Sequence, residues 1–148
     1  MKSVNKTVLL WHSASEMFAL VADVSRYPEF LPWCNEGAVL EEQGDVVVAR
    51  VGMSISGIRK SFTTRNTHDE GRSIKLELVD GPFSHLAGTW EFIPLGGPEQ
   101  KACKIVFTLN YAFSSRTLES LVGPVFDKIA GSLVDAFVKR ADQVYGAA

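Results

Sequence analysis

The side chains able to ionise, attack or hold a metal are scattered along this sequence. His12, His68 and His85 fall at no spacing that would pair them with cysteine or carboxylate as metal ligands. Cys34 and Cys103 stand far apart in apolar stretches, which fits two buried thiols better than a disulfide framework or a metal site. What recurs at fixed spacing is aromatic and aliphatic. Cys103, Ile105, Phe107, Leu109, Tyr111 and Phe113 alternate with Lys104, Thr108 and Asn110; Leu86, Gly88, Trp90 and Phe92 keep the same period, as do Ile74, Leu76 and Leu78. Successive strand residues point to opposite faces, so each set shares one face. The inner faces are expected to carry almost no titratable group, only carbon and an occasional phenol. Catalysis needs an acid, base, nucleophile or metal at the site. These residues therefore support enclosure of an apolar molecule rather than turnover, with a cyclase that only shapes its substrate left open.

Such faces need a sheet to hold them. Strand-like stretches run from Ala38 to Glu42, Val46 to Ile55, Ile58 to His68, Ser73 to Val79, Leu86 to Pro94 and Ala102 to Phe113. Their separators are turn chemistry: Gln43-Gly44-Asp45, Ser56-Gly57, Asp69-Glu70-Gly71, Asp80-Gly81-Pro82 and Gly96-Gly97-Pro98. Connections this short join antiparallel neighbours. Val4 to Trp11 adds a first strand. After it, Ser13 and Glu16 match a capping box ahead of the apolar Met17, Phe18, Leu20 and Val21, a helix expected to end near Asp23 to Ser25. Pro28 and Pro32 then bracket Tyr27, Phe30, Leu31 and Trp33, a segment too rich in proline for a long helix and too apolar for a solvated loop.

The last element is the organising one. From Ser115 to Tyr145 apolar residues recur at spacings of three and four, including Leu118, Leu121, Val122, Val125, Phe126, Ile129, Ala130, Leu133, Val134 and Phe137. They fill an arc of about 200°, wider than the ~100° a helix needs to sit on one surface, so the sheet is expected to wrap around it. Gly123 and Pro124 predict a kink there, or a short helix before it. Arg140 falls within the apolar arc, where it needs the helix C-terminal dipole or a carboxylate. The fold class is α+β: a curved antiparallel seven-stranded sheet wrapped around a long C-terminal helix, with short helices after the first strand.

A chain of 148 residues with 46% apolar and 22% charged composition has the stock of one globular domain. Its formal net charge of −2 gives no whole-protein field for nucleic acid or acidic lipid. Arg59, Lys60, Arg65, Arg72, Lys75, Lys101 and Lys104 cluster on the hairpin strands, more often the solvated face of a sheet than a nucleic-acid surface. No signal-peptide pattern and no apolar run of about 20 residues is present. The expected location is the cytoplasm, with room for peripheral, transient contact with the inner membrane.

Several motifs resemble one family over nearly the whole chain: Asp23-Val24, Tyr27-Pro28, Phe30-Leu31-Pro32-Trp33-Cys34, Asp80-Gly81-Pro82-Phe83, Leu86 with Trp90 and Phe92, Ala136-Phe137 with Arg140-Ala141, and Tyr145-Gly146. They look like the coenzyme Q-binding, START-like proteins of the helix-grip (Bet v 1-like) superfamily, often labelled polyketide cyclase or dehydrase. The resemblance implies a single lipid-binding domain over 1–148 that holds ubiquinone or a related polyprenyl lipid between sheet and helix, in support of respiration or quinone synthesis, with no cofactor required. A bacterial branch of ribosome-association toxins implies instead binding of the large ribosomal subunit and a block on subunit association. DNA is not an expected partner.

The ligand-meeting residues expected on the sheet are Leu86, Gly88, Trp90, Phe92, Phe107, Leu109 and Tyr111. Val125, Ile129, Leu133 and Phe137 face them from the helix, and Gly88 is read as leaving room for the ligand. Phe30, Leu31 and Trp33 are expected as a lid or a structural plug. Phe83 belongs to a turn that is also a candidate rim.

Overall fold

The computed structural model describes residues 1–97 and 99–146, so Pro98 of the last separator lies outside the described residues. Seven strands are present: β1 (Lys2–Leu10), β2 (Cys34–Gln43), β3 (Val46–Ile55), β4 (Ile58–Asp69), β5 (Ser73–Asp80), β6 (Phe83–Pro94) and β7 (Cys103–Phe113). They form one antiparallel sheet in the order β1-β7-β6-β5-β4-β3-β2. β2 to β7 are a meander, and β1 joins it by pairing with β7, Lys2 opposite Tyr111 through Leu10 opposite Cys103. The two-residue turn between β3 and β4 has φ of 52° at Ser56 and 78° at Gly57, the doubly positive geometry that matches strand twist in tight hairpins.

Helix α1 (Ala14–Ala22) starts with the expected capping box. The Glu16 backbone N–H donates to Ser13 Oγ at 3.1 Å, and the Ser13 N–H donates to Glu16 Oε1 at 2.9 Å. The chain after α1 forms a short 3₁₀ helix, Val24–Glu29, with Pro28 inside it, and Phe30 to Trp33 follow as a turn that leads into β2. Tighter 3₁₀ turns suit such short pieces. β2 then begins at Cys34, earlier than the strand pattern suggests, and β6 begins at Phe83, which pairs with Phe113 across a register shift.

Helix α2 (Arg116–Tyr145) opens on a Ser115 cap, whose Oγ accepts from the Leu118 N–H at 3.1 Å. It runs unbroken through Pro124 rather than splitting there. Val122 and Phe126, on either side of that proline, are both buried, so packing on the sheet holds the helix across the missing backbone donor. The buried stripe is Val122, Phe126, Ala130, Val134, Phe137 and Ala141. It is narrower than the apolar arc: Leu121 and Val125 are 55% and 40% exposed.

The main core lies between this stripe, α1 and the inward faces of β3 to β7; a second cluster of Val24, Leu31, Cys34, Val47, Ala49 and Val51 closes the end under the 3₁₀ segment. Among the described residues no helix is long and apolar enough to cross a membrane.

Candidate functional site

Between α2 and the concave face of the sheet is a free volume of about 100 Å³. Trp90 and Leu86 reach it from β6, Phe107 and Leu109 from β7, and Ile129, Leu133 and Phe137 from α2, with Trp33 from the turn just before β2. Alternation places the strand residues there, and helical spacing the others. The walls are mostly aromatic. Trp90 lies 4.3 Å from Phe107 and 5.4 Å from Phe137, centroid to centroid, the latter edge-on. Such contacts favour the rings beyond their buried area.

The other residues expected at the ligand lie elsewhere. Phe92 is buried behind the wall, stacked on Trp90 and edge-on to Phe18. Phe83 packs among Phe62, Phe113 and Phe126, and Leu31 belongs to the second cluster. Val125 is exposed on the flank of α2, because the sheet covers only the centre of the apolar arc; Phe126 and Ala130 line the cavity instead. Gly88 does not leave room. A Cβ there would meet the Thr108 carbonyl oxygen at 2.6 Å and Leu109 Cδ1 at 3.0 Å, so the glycine permits close approach of backbone.

Tyr111 serves a different purpose. Its hydroxyl donates to Asp127 Oδ1 and the Lys2 ammonium donates to Oδ2, both at 2.5 Å, which ties β7 and β1 to α2. Burial pushes the Asp127 carboxyl up, but the bonds from Lys2 and Tyr111 outweigh it and hold it below the usual range.

The expectation of an inner surface of carbon with an occasional phenol fails on β4, which brings a hydroxyl, a carboxamide and an imidazole to the cavity. Thr64, Asn66 and His68 line the cavity in alternation with Phe62 at the head of the row. Sequence period alone does not find them, since Ser61, Thr63, Arg65 and Thr67 on the opposite face are just as polar. Thr64 donates to Asn66 Oδ1 at 2.7 Å. Burial lowers the His68 pKa against the opposing pull of Glu70, Glu42 and Asp45, so the ring is neutral at pH 7. Burial also raises both thiols, Cys103 to about 11, which leaves them protonated and unreactive. Among the described residues no group of histidine, cysteine and carboxylate could hold a metal.

The 3₁₀ segment is fastened over one end of the cavity. Tyr27 and Phe30 meet Phe137 edge-on at 5.4 and 5.3 Å. Arg140 satisfies its charge here, donating to Glu29 Oε1 at 2.7 Å and lying 5.1 Å above the Phe30 ring. The Tyr27 hydroxyl donates to the Val21 carbonyl.

A family model described as "Polyketide cyclase / dehydrase and lipid transport" matches residues 10–138. The chain belongs to this family. Within it, the chain is 47% identical to the ribosome association toxin RatA of Vibrio cholerae, over 99% of both chains. A more distant relative, the mitochondrial coenzyme Q-binding protein COQ10 homolog B of Xenopus laevis, is 27% identical over 96% of this chain and 59% of its own length. The polyketide cyclase/dehydrase fold is matched by the crystal structure of the ZhuI aromatase/cyclase from Streptomyces, with a TM-score of 0.78 at 20% identity over 99% of both chains.

Proposed function

We propose that this protein binds the large ribosomal subunit and hinders its association with the small one. The observation that carries the reading is full-length similarity to a protein named as a ribosome association toxin, at an identity far above that to the coenzyme Q-binding relative. The hairpin cations supply a physical means. Lys75 and Lys101 are paired with Glu77 and Glu16, but the ion pairs of the described residues do not include Arg59, Lys60, Arg72 or Lys104. Arg59 and Lys60 stand exposed at the β3–β4 turn, placed to meet phosphate. The test is sucrose-gradient sedimentation with purified subunits. The protein should travel with the large subunit and reduce the yield of joined ribosomes; a protein that stays at the top of the gradient refutes the reading.

The cavity supports a second reading, binding of a hydrophobic quinone-type or polyprenyl ligand. Its aromatic walls and the coenzyme Q-binding relative favour it. A free volume of about 100 Å³ is small beside the ~300–1,000 Å³ of sites for drug-sized ligands, so a whole polyprenyl lipid requires the 3₁₀ segment to move aside. Solvent extraction of the purified protein and mass spectrometry test this: a stoichiometric isoprenoid is expected, and an empty extract from protein made in a quinone-producing cell counts against it.

A further inference from the structure

The cavity is not uniformly apolar. Its polar wall is one strand, β4, where Thr64 and Asn66 are 6% and 5% exposed and His68 follows them on the same face. Placing a hydroxyl and a carboxamide among carbon is costly unless they are matched. Thr64 and Asn66 match each other only in part. The Thr64 hydroxyl occupies the Asn66 carbonyl oxygen, and the two N–H donors of that amide remain. Among the described residues no sealed side-chain polar atom lacks a partner, so the Asn66 amide is not sealed in packed carbon, and Asn66 lines the free volume. Either orientation of the carboxamide presents hydrogen-bonding capacity to the cavity.

The rest of the lining narrows the ligand. No Asp, Glu, Lys or Arg side chain lines the cavity, and burial favours the neutral form of both ionisable residues that do, Tyr27 and His68, the latter with Phe18 edge-on against it at 5.5 Å. An ionised guest would lose its hydration without a counter-charge. Trp90, Phe107 and Phe137, whose rings pack on one another, line the same cavity and suit an aromatic guest. The free volume of about 100 Å³ approaches the ~150 Å³ apolar cavity known to take benzene, so one ring is the natural size.

We propose that this cavity selects an uncharged aromatic ring bearing a hydroxyl or carbonyl oxygen, with that oxygen bound by Asn66, whose carboxamide Thr64 orients, and His68 beside it. The proposal rests on the second reading, that the cavity holds a ligand, and adds which atoms recognise it. Asn66 is the binding residue and Thr64 a positioning residue.

The test uses the full chain with phenol and toluene, two probes of nearly equal shape that differ by the oxygen, followed by NMR. Both should shift the Trp90 and Phe107 ring signals, and only phenol should move the Asn66 side-chain amide. Asn66→Leu should weaken phenol relative to toluene by about tenfold, the effect of one lost hydrogen bond in a dry site. If the rings respond but the amide stays silent with phenol, the polar wall is structural and the proposal fails while the cavity reading stands. A change in the phenol-to-toluene ratio below about twofold has the same meaning. If neither probe shifts the rings, the cavity reading falls and this proposal with it. Should Asn66→Leu not fold, the amide response of the unaltered protein and the same ratio in Thr64→Val decide.

Discussion

At Gly88 the neighbouring strand leaves no space for a side chain, and the obstacle is a backbone carbonyl that cannot rotate away. Gly88→Ala is therefore expected to destabilise the protein by about 1–3 kcal/mol through overpacking, read as a lower urea midpoint with an unchanged slope. A midpoint equal to that of the parent protein would show that β6 and β7 separate easily. Glu16 carries a second residue-scale prediction. The bond from the Ser13 backbone N–H holds its carboxyl below the ordinary range, with burial opposing and Lys101 assisting at 3.5 Å. Its contribution is complete above the unfolded pKa of about 4.3 and is lost as pH falls through the lower folded value, because the unfolded chain takes up the proton first. Glu16→Gln keeps the capping geometry and should flatten the acid limb of stability against pH. An unaltered limb would assign acid sensitivity to other carboxylates, Asp127 among them.

At the scale of elements, the 3₁₀ segment and α2 meet through aromatic edges and one ion pair. Glu29 is half exposed, so the pair itself is worth no more than about 1 kcal/mol, and Phe137 supplies the larger share of the adhesion. Arg140→Gln should speed amide exchange of Phe30 and Leu31, whose N–H groups donate to the Tyr27 carbonyl, by about two- to fivefold with little change in melting temperature. Exchange that does not change would mean that the rings fasten the segment unaided. Opening would uncover the end of the cavity lined by Val24, Tyr27 and Trp33.

For the whole molecule, the net charge of −2 means that the proposed binding to the large subunit would have to draw on a local cluster and not on the overall field. Binding to the large subunit should then weaken linearly on a log–log plot against salt, with a slope set by the few phosphates contacted. Arg59→Gln with Lys60→Gln should reduce that slope by up to about 2 if both touch phosphate. Cosedimentation insensitive to salt and to this pair would place the contact elsewhere, on apolar surface such as the exposed Trp11 and Leu9.

Local signals in the sequence determine the elements. Alternation, turn dipeptides and a capping box act over a few residues, so seven strands, the capped first helix and the long last one are legible from them. The inward aromatics of β6 and β7 are legible for the same reason, since one face is apolar and the other is not. Which of them border free volume and which are packed behind it depends on residues distant in sequence, Phe137 for Trp90 and Phe18 for Phe92, and only the tertiary structure decides that. The Thr64–Asn66–His68 row is hidden because both faces of β4 are polar, and it becomes visible only when α2 covers one of them. Val125 is the converse case. The helical period assigns it to the apolar arc, but the width of the sheet decides how much of that arc is covered, and Val125 lies beyond its edge.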